Sequence, residues 1–283
     1  MSIHAKRALD RCAAILLVLG ACGEDAAGAG GVGEGGATSA GGASAGGDAA
    51  GGESAGGGAG PGGGAGVGGG GAGPQVPANA TFHLNYTQSF DLTKCSERDV
   101  VVYDLLDTPP ADLAECRGLG ATMLCYFSSQ YEEWRDDADQ FGALEGPLDG
   151  WPGEQWVDPD DAANLAVMLA RLDVAVSKGC DGIDLDNVDR DGHEEYVSTL
   201  FTEARARGLL VSQKNAIEKI DLFFDLVDLY QNEQCQEYAE CEAYEGLGRA
   251  VYNIEYAPCQ TLPFLYSNRK DVELMDASEW PCE

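Results

Sequence analysis

Eight short apolar runs, separated by helix-like or loop segments, recur through residues 81–276 and constrain the fold more than any other feature. Each run has the length of a β-strand, and strands that alternate with helices form parallel sheets. The predicted strands are Thr81–Thr87, Asp99–Leu106, Ala121–Ser128, Gly182–Val188, Leu209–Asn215, Leu226–Glu233, Arg249–Tyr256 and Asp271–Asp276. The sequence therefore predicts a single α/β domain with a parallel sheet of eight strands.

Helix-like segments fill most of the intervals between these strands. The clearest has Asp158 as its predicted N-cap, Pro159 in its first turn, an apolar residue every three or four positions, and Gly179 at its end. The predicted helices are Pro110–Gly118, Pro159–Lys178, Glu194–Arg207, Ile217–Phe224, Gln236–Leu247 and, more weakly patterned, Cys259–Ser267. One long insertion, residues 130–157, carries Trp134, Trp151 and Trp156. It is interpreted either as a loop with exposed, sugar-stacking aromatics or as a packed Ω-loop.

Polar side chains gather where the predicted strands end, and the strand Gly182–Val188 shows this best. Side chains alternate between the two faces of a strand, so Asp184 and Asp186 share one face. Other polar strand ends are Asp104, Asp107, Tyr126, Lys214, Asn215, Glu233, Glu255 and Asp276. No glycine-rich phosphate loop follows any strand, which argues against a nucleotide-binding open sheet. The pattern predicts a (β/α)₈ TIM-type barrel with its active site at the C-terminal rim.

The N-terminus has the pattern of an exported protein. Basic residues precede a short apolar run in residues 1–22, and the sequence Leu19-Gly20-Ala21-Cys22 resembles a lipoprotein processing box. Cys22 is the predicted lipidation site, and ordinary cleavage near Ala21 is the alternative. Residues 23–77 hold 26 of the 39 glycines. They predict a disordered tether with an end-to-end distance of roughly 40 Å.

Residues 78–283 form the predicted catalytic domain, and their charge and cysteines limit its partners. They contain 42 acidic and 14 basic residues, a net charge of −28. Nucleic acid is therefore not an expected partner, and a cationic or neutral ligand is favoured, although acidity also confers solubility. The eight cysteines of an exported domain suggest disulfides, and Cys235 and Cys241 are predicted to pair across one short loop.

Carboxylates are the default acid and base here, because no Ser-His-Asp or Cys-His signature is present. Glycoside hydrolysis needs such a pair: one carboxyl group protonates the leaving oxygen, and the other attacks the anomeric carbon or activates water. Four aspartates between Asp184 and Asp191 could instead hold a metal, but Val188 falls where the EF-hand pattern needs a ligand. We predict no metal site.

Eight segments then point to a known family by their order along the chain. They are Val102–Asp104, Cys125–Ser128, Tyr131–Ala138, Gly150–Glu154, Asp181–Asp189, Lys214-Asn215, Asn232–Cys235 and Ile254–Tyr256. Together they resemble glycoside hydrolase family 114, the endo-α-1,4-polygalactosaminidases. The resemblance implies a (β/α)₈ barrel without a cofactor, a partly N-acetylated α-1,4-galactosaminan as substrate, and catalytic acids at Asp186 and Glu233. This chain departs from the family at Asp184, where Glu is usual, and in the short loop after Asp189.

The resulting expectation is an exported, monomeric, endo-acting and retaining glycosidase that is lipid-anchored at the bacterial cell envelope or surface, with secretion as the alternative. Its membrane contact is limited to the N-terminal lipid. Asp186 is the predicted nucleophile and Glu233 the predicted acid/base, with exchanged roles as an alternative. The predicted substrate-binding residues are Asp104, Tyr126, Trp151, Asp184, Asn187, Lys214, Asn215 and Glu255. For Lys214, neutralisation of neighbouring acids is an open alternative to a direct role. A non-catalytic polysaccharide-binding lipoprotein is the alternative function.

Overall fold

The computed structural model describes residues 75–86, 90–271, 274 and 278–283. The predicted signal peptide with Cys22, the tether up to residue 74, and Asp276 lie outside the described residues. Within them, no helix has the length and apolarity that crossing a membrane requires.

Eight parallel strands form a curled sheet of the (β/α)₈ type, which confirms the predicted fold class. In chain order its strands are β1 (Phe82–Asn85), β2 (Val100–Asp104), β3 (Thr122–Ser128), β7 (Gly182–Asp186), β8 (Leu210–Lys214), β9 (Leu229–Glu233), β10 (Ala250–Glu255) and β11 (Tyr266–Arg269). The strands β4 (Tyr131–Glu132), β5 (Leu144–Pro147) and β6 (Glu154–Val157) form a separate antiparallel sheet inside the insertion. A short strand β12 (Trp280–Pro281) pairs antiparallel with β11.

Five α-helices are described. They are α1 (Leu92–Glu97), α2 (Pro110–Gly118), α3 (Ala162–Lys178), α4 (Glu194–Ala206) and α5 (Ile220–Phe223). Short 3₁₀ turns occur at Ala138–Gln140, Ile217–Lys219, Phe224–Leu226 and Cys241–Tyr244. The longest helix, α3, ends at Gly179, whose left-handed φ of 80° lets its N–H return to the last turn.

Two apolar layers follow from the alternation of side chains along the strands. The inner layer fills the barrel and includes Phe82, Leu84, Val102, Leu124, Leu210, Leu229, Tyr252 and Ile254. The outer layer packs the opposite faces of the strands against the helices, and Met168 and Leu172 of α3 belong to it. Asp184 and Asp186 alternate with Ile183 and Leu185 of the outer layer, so both aspartates point into the barrel.

Glu279 joins the first and last strands of the barrel. In the described residues no ladder of hydrogen bonds pairs β1 with β11. Instead, one carboxylate oxygen of Glu279 lies 2.9 Å from His83 Nδ1 of β1 and accepts a hydrogen bond from Asn268 Nδ2 of β11 at 3.1 Å. The other oxygen pairs with Lys94 and Arg98. A single carboxylate therefore connects these two strands.

Several predicted boundaries are wrong. The eighth strand is Tyr266–Arg269, which begins within the last two residues of the segment predicted as the helix Cys259–Ser267. Pro263 interrupts helical hydrogen bonding in that segment. Most of the predicted strand Asp271–Asp276 lies outside the described residues. The helix predicted to start at Pro159 begins at Ala162 instead, because the Asp161 side chain caps it by accepting from Ala163 N.

Two further predicted helices are broken into shorter pieces. The segment Ile217–Phe224 consists of a 3₁₀ turn followed by the four residues of α5. The segment Gln236–Leu247 contains only the 3₁₀ turn Cys241–Tyr244, since a disulfide bond joins Cys235 to Cys241 and Ala239 has a left-handed φ of 58°. All eight cysteines of the domain are paired, as Cys95–Cys116, Cys125–Cys180, Cys235–Cys241 and Cys259–Cys282. The predicted Cys235–Cys241 bond is thus present.

Candidate active site

A cleft of about 520 Å³ opens at the C-terminal ends of the strands, where the sequence predicts the site. Asp186 and Glu233 both reach it from neighbouring positions of the barrel. The other side chains around it are mostly aromatic or acidic. Its lining consists of Tyr86, Tyr126, Leu148, Asp149, Gly150, Trp151, Glu154, Trp156, Asp186, Asn187, Asp189, Lys214, Asn215, Glu233, Gln234, Tyr256 and Leu274.

Asp186, the last residue of β7, is hydrogen-bonded through both carboxylate oxygens. Its Oδ2 accepts from Tyr126 Oη and from Lys214 Nζ, each at 2.8 Å, and its Oδ1 accepts from the backbone N–H of Asn187 at 2.9 Å. Burial alone would raise the pKa of this carboxyl group. The Lys214 charge and these hydrogen bonds outweigh burial, so the pKa of Asp186 is lowered and the group is ionised at neutral pH.

Lys214 connects the two candidate catalytic acids. Its Nζ lies 2.8 Å from Asp186 Oδ2 and 3.5 Å from Glu233 Oε1. The ammonium group also lies over the rings of Tyr86 and Tyr126, at 5.3 and 5.4 Å from their centroids. Burial opposes the charged form, but the two carboxylates dominate, and the pKa of Lys214 is raised. One buried cation thus faces two acids.

Glu233, the last residue of β9, has a second partner from the next strand. Tyr256 follows β10 and donates its hydroxyl to Glu233 Oε1 at 2.9 Å. The backbone N–H of Glu233 donates to the side-chain oxygen of Asn215 at 2.9 Å. The backbone and side chain of this glutamate are therefore held by residues from two adjoining strands, β8 and β10.

Left-handed backbone follows three consecutive strands at this rim. Asn187 after β7, Asn215 after β8 and Gln234 after β9 have φ values of 59°, 52° and 66°. Asparagine tolerates this conformation better than most residues, and backbone strain of this kind concentrates at functional sites. Two of these residues contact the candidate acids. The backbone N–H of Asn187 donates to Asp186 Oδ1, and Asn215 Oδ1 accepts from the backbone N–H of Glu233.

A second polar layer lies below the cleft. Tyr86 Oη donates to Asp184 Oδ2 at 3.2 Å and accepts from Gln231 Nε2 at 2.7 Å, and the Tyr86 ring stacks on Tyr126 with centroids 3.7 Å apart. Asp184 is fully buried. Burial is the main cause that raises the pKa of its carboxyl group to about 7.

The structure brings five of the eight predicted substrate-binding residues to the cleft wall. These are Tyr126, Trp151, Asn187, Lys214 and Asn215. Asp184 lies beneath the wall. Asp104 and Glu255 do not line the cleft.

Asp104 and Glu255 have internal partners instead. Arg135 donates to both oxygens of Asp104, at 3.1 and 2.7 Å, and so ties the start of the insertion to β2. Glu255 Oε1 accepts from Gln236 N and Asn253 Nδ2 behind the barrel. These contacts hold loops in place and leave neither carboxylate facing the cleft.

The insertion forms a small sheet that contributes one wall of the cleft. Trp151, at 38% exposure, and Trp156 both line the cleft, whereas Trp134 does not. The predicted site residues did not include Tyr86 and Tyr256. Trp156 was considered for sugar stacking with the other tryptophans of the insertion but was not among the predicted substrate-binding residues. For Tyr256 a signal existed, because it directly follows a strand that ends at the same rim. Among the described residues, no three His, Cys, Asp or Glu side chains are grouped as metal ligands would be.

Comparisons with known proteins agree with this geometry. The sequence model of glycoside hydrolase family GH114 matches residues 69–278. A comparison with curated protein sequences found no match. The crystal structure of Aspergillus fumigatus Ega3 in complex with galactosamine is similar, with a TM-score of 0.66 at 28% identity over 74% of this chain and 97% of that chain. The glycoside hydrolase domain of PelA from Pseudomonas aeruginosa has the same fold, with a TM-score of 0.59 at 16% identity over 72% of this chain and 99% of that chain.

Proposed function

Because this chain belongs to glycoside hydrolase family GH114 and is a glycosidase, we propose that it cleaves an α-1,4-linked, partly N-acetylated galactosamine polysaccharide with Asp186 and Glu233. The observation that carries the assignment of the two acids is their shared contact with Lys214 Nζ at the bottom of the cleft. The identification as a family 114 member, first based on short segments, is confirmed by the family model.

The spacing of the two acids supports a retaining mechanism. Since Asp186 Oδ2 and Glu233 Oε1 lie 2.8 and 3.5 Å from the same nitrogen atom, these two oxygens are at most about 6.3 Å apart. Retaining glycosidases place their carboxyl groups about 5 to 5.5 Å apart, and inverting enzymes need about 6.5 to 9.5 Å to admit a water molecule. The limit of about 6.3 Å applies to one oxygen of each carboxyl group and is compatible with the retaining arrangement.

In the proposed mechanism Asp186 is the nucleophile. Its carboxylate attacks the anomeric carbon while Glu233 gives a proton to the departing glycosidic oxygen, and a covalent glycosyl-enzyme forms. Glu233 then removes a proton from the water that hydrolyses this intermediate. Lys214 and the Tyr126 hydroxyl keep Asp186 ionised and oriented, which supports the nucleophile role over the acid role.

The residues of the cleft wall support a cationic amino-sugar polymer as the substrate. Asp149, Glu154 and Asp189 line it together with Trp151 and Trp156. Carboxylates attract the ammonium groups of deacetylated residues, and indole rings stack on the apolar faces of sugars. The similar Ega3 structure was solved with galactosamine, which agrees with this substrate class. Endo action rests on the family resemblance.

Export is part of the proposal. Four disulfides that use all eight cysteines of the domain are typical of exported proteins. Lipidation of Cys22, the tether and the monomeric state remain predictions from the sequence.

The test is hydrolysis of partly deacetylated α-1,4-galactosaminan. The formation of new reducing ends measures activity, and the anomeric configuration of the first product shows whether the enzyme retains or inverts it. Asp186→Asn and Glu233→Gln should each lower kcat by about a thousandfold or more while the fold is kept. Asp191→Asn is the matched control, because Asp191 lies in the loop that follows Asp186, but its side chain is 99% exposed and pairs with Lys219. A variant of either catalytic acid that keeps more than about a tenth of wild-type activity would exclude that residue from the chemistry.

A further inference from the structure

Trp156 is held against the cleft by side chains from two other segments. It belongs to β6 of the insertion, and the guanidinium group of Arg190, from the loop after β7, lies over its ring at 4.8 Å from the centroid. The His193 ring meets the same indole edge-on, with centroids 5.9 Å apart. One face of the indole is thus covered by a cation, while Trp156 also contributes to the wall of the cleft.

Glu145 of β5 fixes both of the side chains that contact Trp156. Its Oε2 accepts from Arg190 Nη2 at 2.8 Å and lies 3.2 Å from His193 Nε2. His193 is almost fully buried, whereas Arg190 and Glu145 are about one-third exposed. Strands β5 and β6 and the loop that follows the nucleophile therefore meet around one indole ring. We name Glu145, Arg190 and His193 the indole clamp.

We infer that Trp156 is the stacking platform of a sugar subsite separate from the catalytic pair, and that Arg190 is the positioning residue that holds the platform in place. The inference rests on the proposed function for the nature of the ligand, a pyranose unit of the polymer. Since Arg190 occupies one face of the indole and Trp156 lines the cleft, we place the apolar C–H face of the sugar on the opposite face of the ring. Because the ring is already oriented, binding does not have to order it.

A purely structural clamp would give a different result. If Arg190 only anchors the insertion, its loss lowers stability and affects binding and turnover together. If it positions a binding platform, its loss raises KM and the Kd of an inactive variant, with kcat little changed. The two roles are therefore separable by measurement.

The first experiment compares hydrolysis by Arg190→Met, Trp156→Leu and the double variant. Arg190→Met should raise KM about threefold to tenfold, and Trp156→Leu about tenfold or more, with kcat within about threefold of wild type. The double variant should bind no worse than Trp156→Leu alone, because Arg190 acts through the indole. Arg190→Lys, which keeps the charge, should recover most of the affinity. Arg207→Met is the matched control, since Arg207 is also held by ion pairs, with carboxylates on helices α3 and α4, and does not line the cleft.

A second experiment needs no polymer. The tryptophan fluorescence of the wild type minus that of Trp156→Leu gives the contribution of Trp156. The fluorescence of Arg190→Met minus that of the double variant gives the same contribution without the guanidinium group. Acrylamide should quench this contribution more strongly when Arg190 is absent. Equal quenching in the two backgrounds overturns the inference. So does an unchanged KM in Arg190→Met, provided that the wild type cleaves the polymer. A wild type that does not act on the polymer rejects the proposed substrate and with it the subsite, while the quenching result still decides whether Arg190 positions Trp156.

Discussion

Replacing Lys214 by methionine removes the cation between the two catalytic carboxylates while keeping a side chain of similar length. In the wild type, Lys214 Nζ is 2.8 Å from Asp186 Oδ2 and 3.5 Å from Glu233 Oε1, and its side chain is only 6% exposed. Among the described residues, Lys214 is the ion-pair partner of both acids. The variant therefore leaves two neighbouring carboxyl groups at the bottom of the cleft without their compensating charge.

The expected cost at pH 7 follows from the burial of the pair. Breaking a buried ion pair by removing one partner destabilises a protein by about 3 to 5 kcal/mol, because the remaining charge stays desolvated. Tyr126 and the backbone N–H of Asn187 still hold Asp186, so we expect the lower end of that range, about 3 kcal/mol. The pKa of Asp186 should rise, since burial then acts without the opposing charge.

The pH dependence gives this prediction its sign. A carboxyl group with a lowered native pKa contributes stability above its unfolded pKa and loses it as pH falls through the native pKa. In Lys214→Met we expect burial to bring the native pKa of Asp186 above the unfolded value, so the same group should then lower stability as pH rises. The difference in unfolding free energy between wild type and variant should thus be large at pH 7 and small near pH 3. Lys214 itself is protonated in both states across this window and adds no slope.

Urea unfolding at pH 3, 4, 5 and 7 measures this difference, and the pH profile of kcat/KM measures the nucleophile. The acid limb of the profile should move to higher pH in Lys214→Met. Lys178→Met is the control, because Lys178 Nζ donates to the backbone carbonyls of Leu105, Leu106 and Thr108, and its loss should cost nearly the same at each pH. A cost for Lys214→Met that is equal at pH 3 and pH 7, together with an unmoved acid limb, would refute the electrostatic argument.

Three further predictions concern other sites. Asp184 has a pKa raised to about 7, so the wild type should lose stability as pH rises from 4 to 7. Over this range the unfolding free energy of Asp184→Asn should therefore rise by about 2 to 4 kcal/mol relative to that of the wild type. A difference in urea unfolding that stays constant with pH contradicts this. Glu279 has a pKa lowered to about 2, with His83 and nearby cations outweighing burial. Glu279→Gln should therefore cost about 2 kcal/mol at pH 7 and almost nothing near pH 2, which thermal unfolding at both pH values checks. Cys22→Ser should move the protein from the membrane to the soluble fraction in cell fractionation, and a wild type that is already soluble excludes the lipid anchor.

The alternation of side chains made much of the site predictable. It placed Asp184 and Asp186 on one face, and the polar strand ends placed Lys214 and Glu233 at the same rim. Seven of the eight strands lie where the apolar runs predict them. These features depend on local periodicity, which the sequence records directly.

Glu255 shows where this reasoning stops. A polar residue at a strand end can point into the barrel or behind it, and the sequence alone does not say which face of a strand is inside. Tyr252 and Ile254 belong to the inner layer, so Glu255 points outward and holds Gln236. The indole clamp could not be predicted either, because Glu145 and Arg190 are far apart in sequence. Glu145 lies in a small sheet that no apolar periodicity predicts, and Arg190 lies in the loop after β7.

Asp184 and Asp186 show how three-dimensional surroundings decide the chemistry of similar residues. They lie two positions apart on the same face of β7; Asp184 is fully buried, and the Asp186 side chain is 14% exposed. Lys214 donates directly to Asp186, whereas Asp184 is one layer deeper and has the Tyr86 hydroxyl, a neutral donor, on one oxygen. The first carboxyl group is therefore held ionised, as a nucleophile requires, and the second is driven toward its neutral form. An ionised Asp184 would compete with Asp186 for the Lys214 ammonium group, so a neutral Asp184 leaves that ammonium group to the nucleophile.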